Sequence, residues 1–120
     1  MYNKRGVICV TNSTTDIMSM VFEDICREVI DPYFEGQRTS GVEGNHSQAP
    51  ESGHYYGRSE DYGFEGRHVL TKTPIKIPDN IRQEIADECQ RRFDHMWGKS
   101  MFYVLLEKDH FHFQRQKNSF

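Results

Sequence analysis

A chain of 120 residues has room for one domain, 1–120, with a single core and one site. Its 18 acidic and 15 basic residues leave a net charge of −3, and the cations are interleaved with acids, so no basic surface is offered to a nucleic acid. No window approaches the roughly 18 apolar residues that a membrane span requires.

From the N-terminus, Lys4-Arg5 followed by Val7-Ile8-Cys9-Val10 is too short an apolar run for a secretory signal, which needs about 7–15 residues, and Thr11-Asn12-Ser13 ends it. Residues 5–11 read as a short strand. The polar run 12–16 offers N-caps for a helix over about 15–30. Its stripe is Ile17, Val21, Ile25 and Val29, with Met18, Phe22, Cys26 and Ile30 alongside, and Asp31-Pro32 stops it. From Gly36 to Gly66 the chain is rich in Gly, Ser, His, Tyr and acids, with little periodicity. A loop of that length in a compact domain is usually functional, and its aromatics argue against disorder. Within it, Thr39-Ser40-Gly41-Val42 reads as a short strand and Asp61 to Leu70 as a broken one. A second helix over about 79–95 carries the stripe Ile81, Ile85, Cys89 and Phe93, with Asp79 or Asn80 as cap and Gly98 as stop. Met101 to Leu106 is an apolar strand, and Phe111 and Phe113 alternate with His110, His112 and Gln114 in a period-two strand. The three cysteines form no CxxC pair, so neither a disulfide framework nor a thiolate zinc site is expected; Cys26 and Cys89 fall on helix core faces. Two helices with several separate strands give an α+β domain.

Two stretches carry chemistry. The first is Ser52-Gly53-His54-Tyr55-Tyr56-Gly57-Arg58-Ser59-Glu60-Asp61, and the second is Glu107-Lys108-Asp109-His110-Phe111-His112. Together they hold the inventory of a catalytic zinc site: three protein ligands, an open position for water and a general base. Gly57 discourages a helix between His54 and Asp61, so a turn leading into a strand is expected. His110 and His112, two apart, leave the same strand face. Glu107 would point the other way on an unbroken strand, so Lys108-Asp109 must bend if it is to reach the site.

The first stretch fits Ser-x-His-x-x-Gly-x-(Ala or Ser)-x-Asp, and the chain thereby resembles the M15 zinc peptidases, the D-Ala-D-Ala carboxypeptidases and peptidoglycan endopeptidases whose metal site is related to that of Hedgehog domains. The resemblance covers most of the chain in the order seen in small phage and viral members. The upstream helix is followed by a Thr-Ser-Gly segment with Glu43-Gly44-Asn45-His46-Ser47, then the first motif, a second helix, an apolar strand and the closing Glu-x-x-His-x-His. It implies a single Hedgehog/DD-peptidase-like domain with a central, mostly antiparallel sheet and two main helices. Ser59 stands where Ala is usual. Glu60 replaces an apolar or small residue and is expected to face solvent, opposite Asp61, because burying its charge is costly.

In the site that the resemblance implies, one Zn2+ is held by His54, Asp61 and His112, with Glu107 as general base and His110 beside the open position as oxyanion donor. Spacing alone leaves open whether His110 or His112 is the third ligand: the second His of a His-x-His pair ligates in many relatives, whereas a Glu-x-x-His pattern would select His110. Arg38, His46 and Arg58 are candidate substrate contacts; His68 and His95 read as ordinary surface or core residues. The implied activity is hydrolysis of a peptidoglycan peptide bond, as D-Ala-D-Ala carboxypeptidase or stem-peptide endopeptidase, by a monomer whose partner is the cell-wall peptide. Without a signal peptide, such an enzyme would be made in the cytoplasm and reach the wall after release or from a virion. The rival is a non-catalytic zinc-containing binding module of the same fold, against which an intact Glu107 argues.

Overall fold

The computed structural model describes residues 10–40 and 59–116. In chain order the elements are α1 (Val10–Val29), β1 (Phe34–Glu35), β2 (Arg38–Ser40), β3 (Ser59–Gly63), β4 (Glu65–His68), β5 (Pro74–Lys76), α2 (Asp79–Trp97), β6 (Phe102–Leu106) and β7 (His110–Arg115). The strands form a four-stranded sheet, β2-β3-β7-β6, and a three-stranded one, β1-β4-β5, with every pairing antiparallel. The domain is α+β. Among the described residues no helix is long and apolar enough to cross a membrane.

The helix α1 starts earlier than expected: Val10 and Thr11, read as the end of a strand, already belong to it. The remainder of that strand reading lies outside the described residues. The buried stripe of α1 is Met18, Val21, Phe22, Ile25 and Cys26, a 3-4 spacing that meets the sheet, whereas Val29 at the last turn is 55% exposed. Phe22 is the centre of the core. Its ring stacks on Tyr62 at 5.0 Å and approaches Phe111 at 5.2 Å, Phe113 at 5.4 Å and Phe34 at 6.1 Å.

The expected stripe of α2 is in place: Ile85, Cys89 and Phe93 are buried, joined by Ala86. Its N-cap is neither Asp79 nor Asn80. Extended Pro78 occupies that position without a side-chain bond, and Asp79, displaced into the first turn, pairs with Arg82 at 2.9 Å. Gly98 ends the helix at φ 95°, a left-handed conformation that a Cβ would strain, and its N–H donates to Asp94 O at 2.9 Å. Cys26 and Cys89 are buried free thiols, and desolvation pushes the pKa of each upward, which keeps them inert.

Two local devices complete the frame. Strand β6 lies at an edge of its sheet, where unpaired backbone groups invite a further strand. The Gln90 side chain from α2 meets them as a neighbouring peptide would: Nε2 donates to Phe102 O at 2.8 Å, and Oε1 accepts from Val104 N–H at 2.9 Å. In β4, Gly66 lets the chain pass against β1; a Cβ there would lie 2.4 Å from Phe34 Cζ and 2.5 Å from the Glu35 carbonyl oxygen.

The expectation that Glu60 faces solvent is overturned, because its side chain is only 2% exposed. Alternation does place Glu60 and Asp61 on opposite faces, but the inner face is the one that holds Glu60. Residues two apart on a strand share a face, and Tyr62 packs inward against Phe22 and Phe113, so Glu60 goes in with it. Opposite Glu60 is Phe113, and opposite Tyr62 is Phe111. The buried carboxylate is matched by Arg38, whose Nη1 donates to Glu60 Oε1 at 3.2 Å.

Candidate metal centre

Burial of Phe111 and Phe113 decides where the site stands. With both rings turned inward, His110, His112 and Gln114 must leave the outer face of β7. Antiparallel pairing with β3 then sets Asp61 directly opposite His112, Gly63 opposite His110 and Ser59 opposite Gln114. Cross-strand residues on one face bring their Cβ atoms within about 4.5–5.5 Å. One ligand atom from each of Asp61, His110 and His112 accordingly lies within 4.8 Å of the other two. Asp61 Oδ1 is 2.8 Å from His112 Nδ1 and 3.7 Å from His110 Nε2. Ligands about 2.0–2.1 Å from a tetrahedral zinc ion would be separated by about 3.4 Å, which falls between those two distances.

The outer nitrogens of both rings are engaged as well. His110 Nδ1 lies 2.6 Å from Asp109 Oδ1, and His112 Nε2 lies 3.1 Å from Gln114 Oε1. Metal-ligating histidines characteristically have such partners on the nitrogen turned away from the ion. Burial lowers the pKa of His112, but the hydrogen bonds that its ring donates to Asp61 and Gln114 and the nearby charges of Asp61 and Glu107 outweigh it and leave the pKa raised. The hydrogen bond from His110 holds the Asp109 carboxyl below its ordinary range. All three candidate ligands are half-buried. Two imidazoles and a carboxylate are the donor set of zinc and other borderline divalent ions, in contrast to the all-oxygen sets of Mg2+ and Ca2+. These residues could hold a metal ion.

The bend expected at Lys108-Asp109 is present and closes the hairpin between β6 and β7. Because of it, Glu107 N–H donates to His110 O at 2.9 Å, and the register Leu105↔His112, Leu106↔Phe111 continues to set Glu107 across from His110. Glu107 is therefore on the same side of the sheet as the histidines, close enough for its charge to act on His112. Next to the triad, Leu105 and Tyr103 on β6 are 51% and 39% exposed, opposite His112 and Gln114. They form an apolar shelf beside a polar cluster.

Of the candidates named from the sequence, Asp61, His110 and His112 are brought together, and Glu107 lies across the hairpin from His110. Arg38 is held elsewhere: it pairs with Glu60 on the face of β3 turned away from Asp61. His54, His46 and Arg58 lie outside the described residues. His68 ends strand β4, stacked on Tyr33 at 4.8 Å with Nδ1 accepting from Leu70 N–H at 3.1 Å, and His95 is exposed. Sequence reasoning missed Asp109 and Gln114. Period two alone would have placed Gln114 on the face of His112, whereas Asp109 depends on the turn conformation. Compared with protein-family models, curated proteins and solved structures, the chain matches none.

Proposed function

We propose that this chain is a zinc-dependent peptidase that hydrolyses a peptide bond in peptidoglycan, as a carboxypeptidase or a stem-peptide endopeptidase. The observation that carries the reading is the convergence of Asp61, His110 and His112 on one sheet face, with Glu107 across the hairpin from His110. Asp61, His110 and His112 are the three donors, which leaves the fourth position of the ion open for water; His54, a ligand that the resemblance implies, lies outside the described residues. Zinc, when bound, supplies Lewis-acid polarisation of a water and of the substrate carbonyl. Glu107 takes the proton of the attacking water and returns it to the departing amine. The strand pair β3-β7 holds the donors on rigid backbone, so little reorganisation is needed when substrate arrives. Leu105 and Tyr103 give the substrate an apolar surface to lie against.

Support for the cell-wall substrate comes from the motif order of the sequence, and support for the chemistry comes from the site geometry. The test has two parts. Elemental analysis of protein purified without chelator should find one zinc per chain, and digestion of purified sacculi should release muropeptides whose masses identify the bond. Glu107→Ala should keep the zinc and lose the digestion. A variant that digests as fast as the parent would remove Glu107 from the mechanism; a zinc-loaded but inactive parent would leave a binding module.

A further inference from the structure

We propose that Asp109 is the positioning residue of the metal centre, fixing His110 so that Nε2 is its donor atom. The inference rests on the metal-site reading above and concerns a residue that touches neither the ion nor the substrate. Asp109 Oδ1 lies 2.6 Å from His110 Nδ1, and an ionised carboxylate can only accept. The hydrogen therefore resides on Nδ1, and the lone pair resides on Nε2, the atom that faces Asp61 Oδ1 at 3.7 Å. Tautomer and ring orientation are set by one contact. The hairpin bend is what makes that contact available: Lys108-Asp109 turns the chain, and Asp109 comes to lie beside the ring of the residue that opens β7. The carboxylate is 83% exposed, so burial does not account for its placement beside the imidazole. Outer-sphere partners of this kind raise ligand basicity and contribute about 10–100-fold to metal affinity.

The experiment uses the full chain and zinc alone. Zinc affinity is measured by competition with a chromophoric chelator for the parent, Asp109→Ala and Asp109→Asn. Two-bond 15N–1H spectra of the imidazoles then report which nitrogen of His110 carries the proton. Asp109→Ala is expected to bind zinc about 10–100-fold more weakly, with an unchanged urea midpoint for the metal-free protein. Asp109→Asn, which keeps an acceptor oxygen, should recover part of the affinity. In the metal-free parent the His110 proton should reside on Nδ1, and in Asp109→Ala it should move toward Nε2. Equal affinities for parent and Asp109→Ala overturn the inference while leaving the metal site standing. A weaker affinity with the proton still on Nδ1 overturns it too, since the loss would then be structural. A parent that binds no zinc overturns the site and the inference together.

Discussion

Replacing Phe113 with alanine tests whether the sheet's inner face is packed as described. The ring is completely buried and is shared by every layer of the core: it lies 5.4 Å from Phe22 on α1, 5.7 Å from Tyr62 on β3, 6.3 Å from Phe93 on α2 and 6.4 Å from Phe111 on its own strand. None of these neighbours can relax into the space without pulling a helix off the sheet, so the cavity should persist. Phe→Ala under such conditions costs about 3–5 kcal/mol, a large share of the about 5–15 kcal/mol that holds a domain of this size. In urea, a loss of about 4 kcal/mol with a slope of about 1.5–2 kcal/mol/M lowers the midpoint by about 2–3 M. Phe113→Leu, which keeps most of the volume, should cost under about 1.5 kcal/mol. The measurement is a pair of urea titrations followed by far-UV circular dichroism, with equal slopes for parent and variants. A loss below about 1.5 kcal/mol for Phe113→Ala would show that the helices do not close over this face, and the outward placement of His110 and His112 would lose its cause.

Gly66→Ala sets a methyl against Phe34 and the Glu35 carbonyl, and the latter is backbone that cannot swing away; a thermal melt should report a loss of about 1–3 kcal/mol. Gln90→Ala removes two hydrogen bonds to the β6 edge and should cost about 1–3 kcal/mol. The same variant should show concentration-dependent association by light scattering, because the freed edge is apolar. Glu88 is hydrogen-bonded by Arg91 and Arg92, which depress its pKa from 4.5 to about 2. A depressed folded-state value means that its contribution is complete above the unfolded value and is lost as pH falls from about 4.5 toward 2. The stability difference between parent and Glu88→Gln should therefore shrink over that window, and should be smaller throughout in 1 M salt. Finally, zinc at about a hundred times its Kd should stabilise the parent by about 2.7 kcal/mol, and Asp61→Ala should abolish the increment in a melting experiment.

Elements with strong periodicity were legible in the sequence. The stripes of α1 and α2 and the alternation of β7 follow from spacing alone, and so does the shared face of His110 and His112. Boundaries depended on context. Val10 and Thr11 continue the apolar run before them in sequence, but they belong to the helix that follows. Pro78 holds the cap position in extended conformation, with no side-chain hydrogen bond, and Asp79 falls in the first turn. Asp109 could not be read at all, since its contact arises from the local bend and has no period.

The placement of Glu60 follows from its strand and not from its own charge. Considered alone, the carboxylate of Glu60 is expected in water. Considered with its strand, Glu60 shares a face with Tyr62 and Asp61 shares one with the histidines opposite, so only one of the two acids can accompany the aromatic core. Phe111 and Phe113 need burial, and the register of β7 with β3 then turns Asp61 outward beside His112 and Glu60 inward. The cost of that assignment falls on Arg38, which reaches the buried carboxylate from β2 at 3.2 Å and is thereby committed to the fold on the side away from the triad. The face that the site occupies and the role left to Arg38 are thus one consequence of where two phenylalanines point.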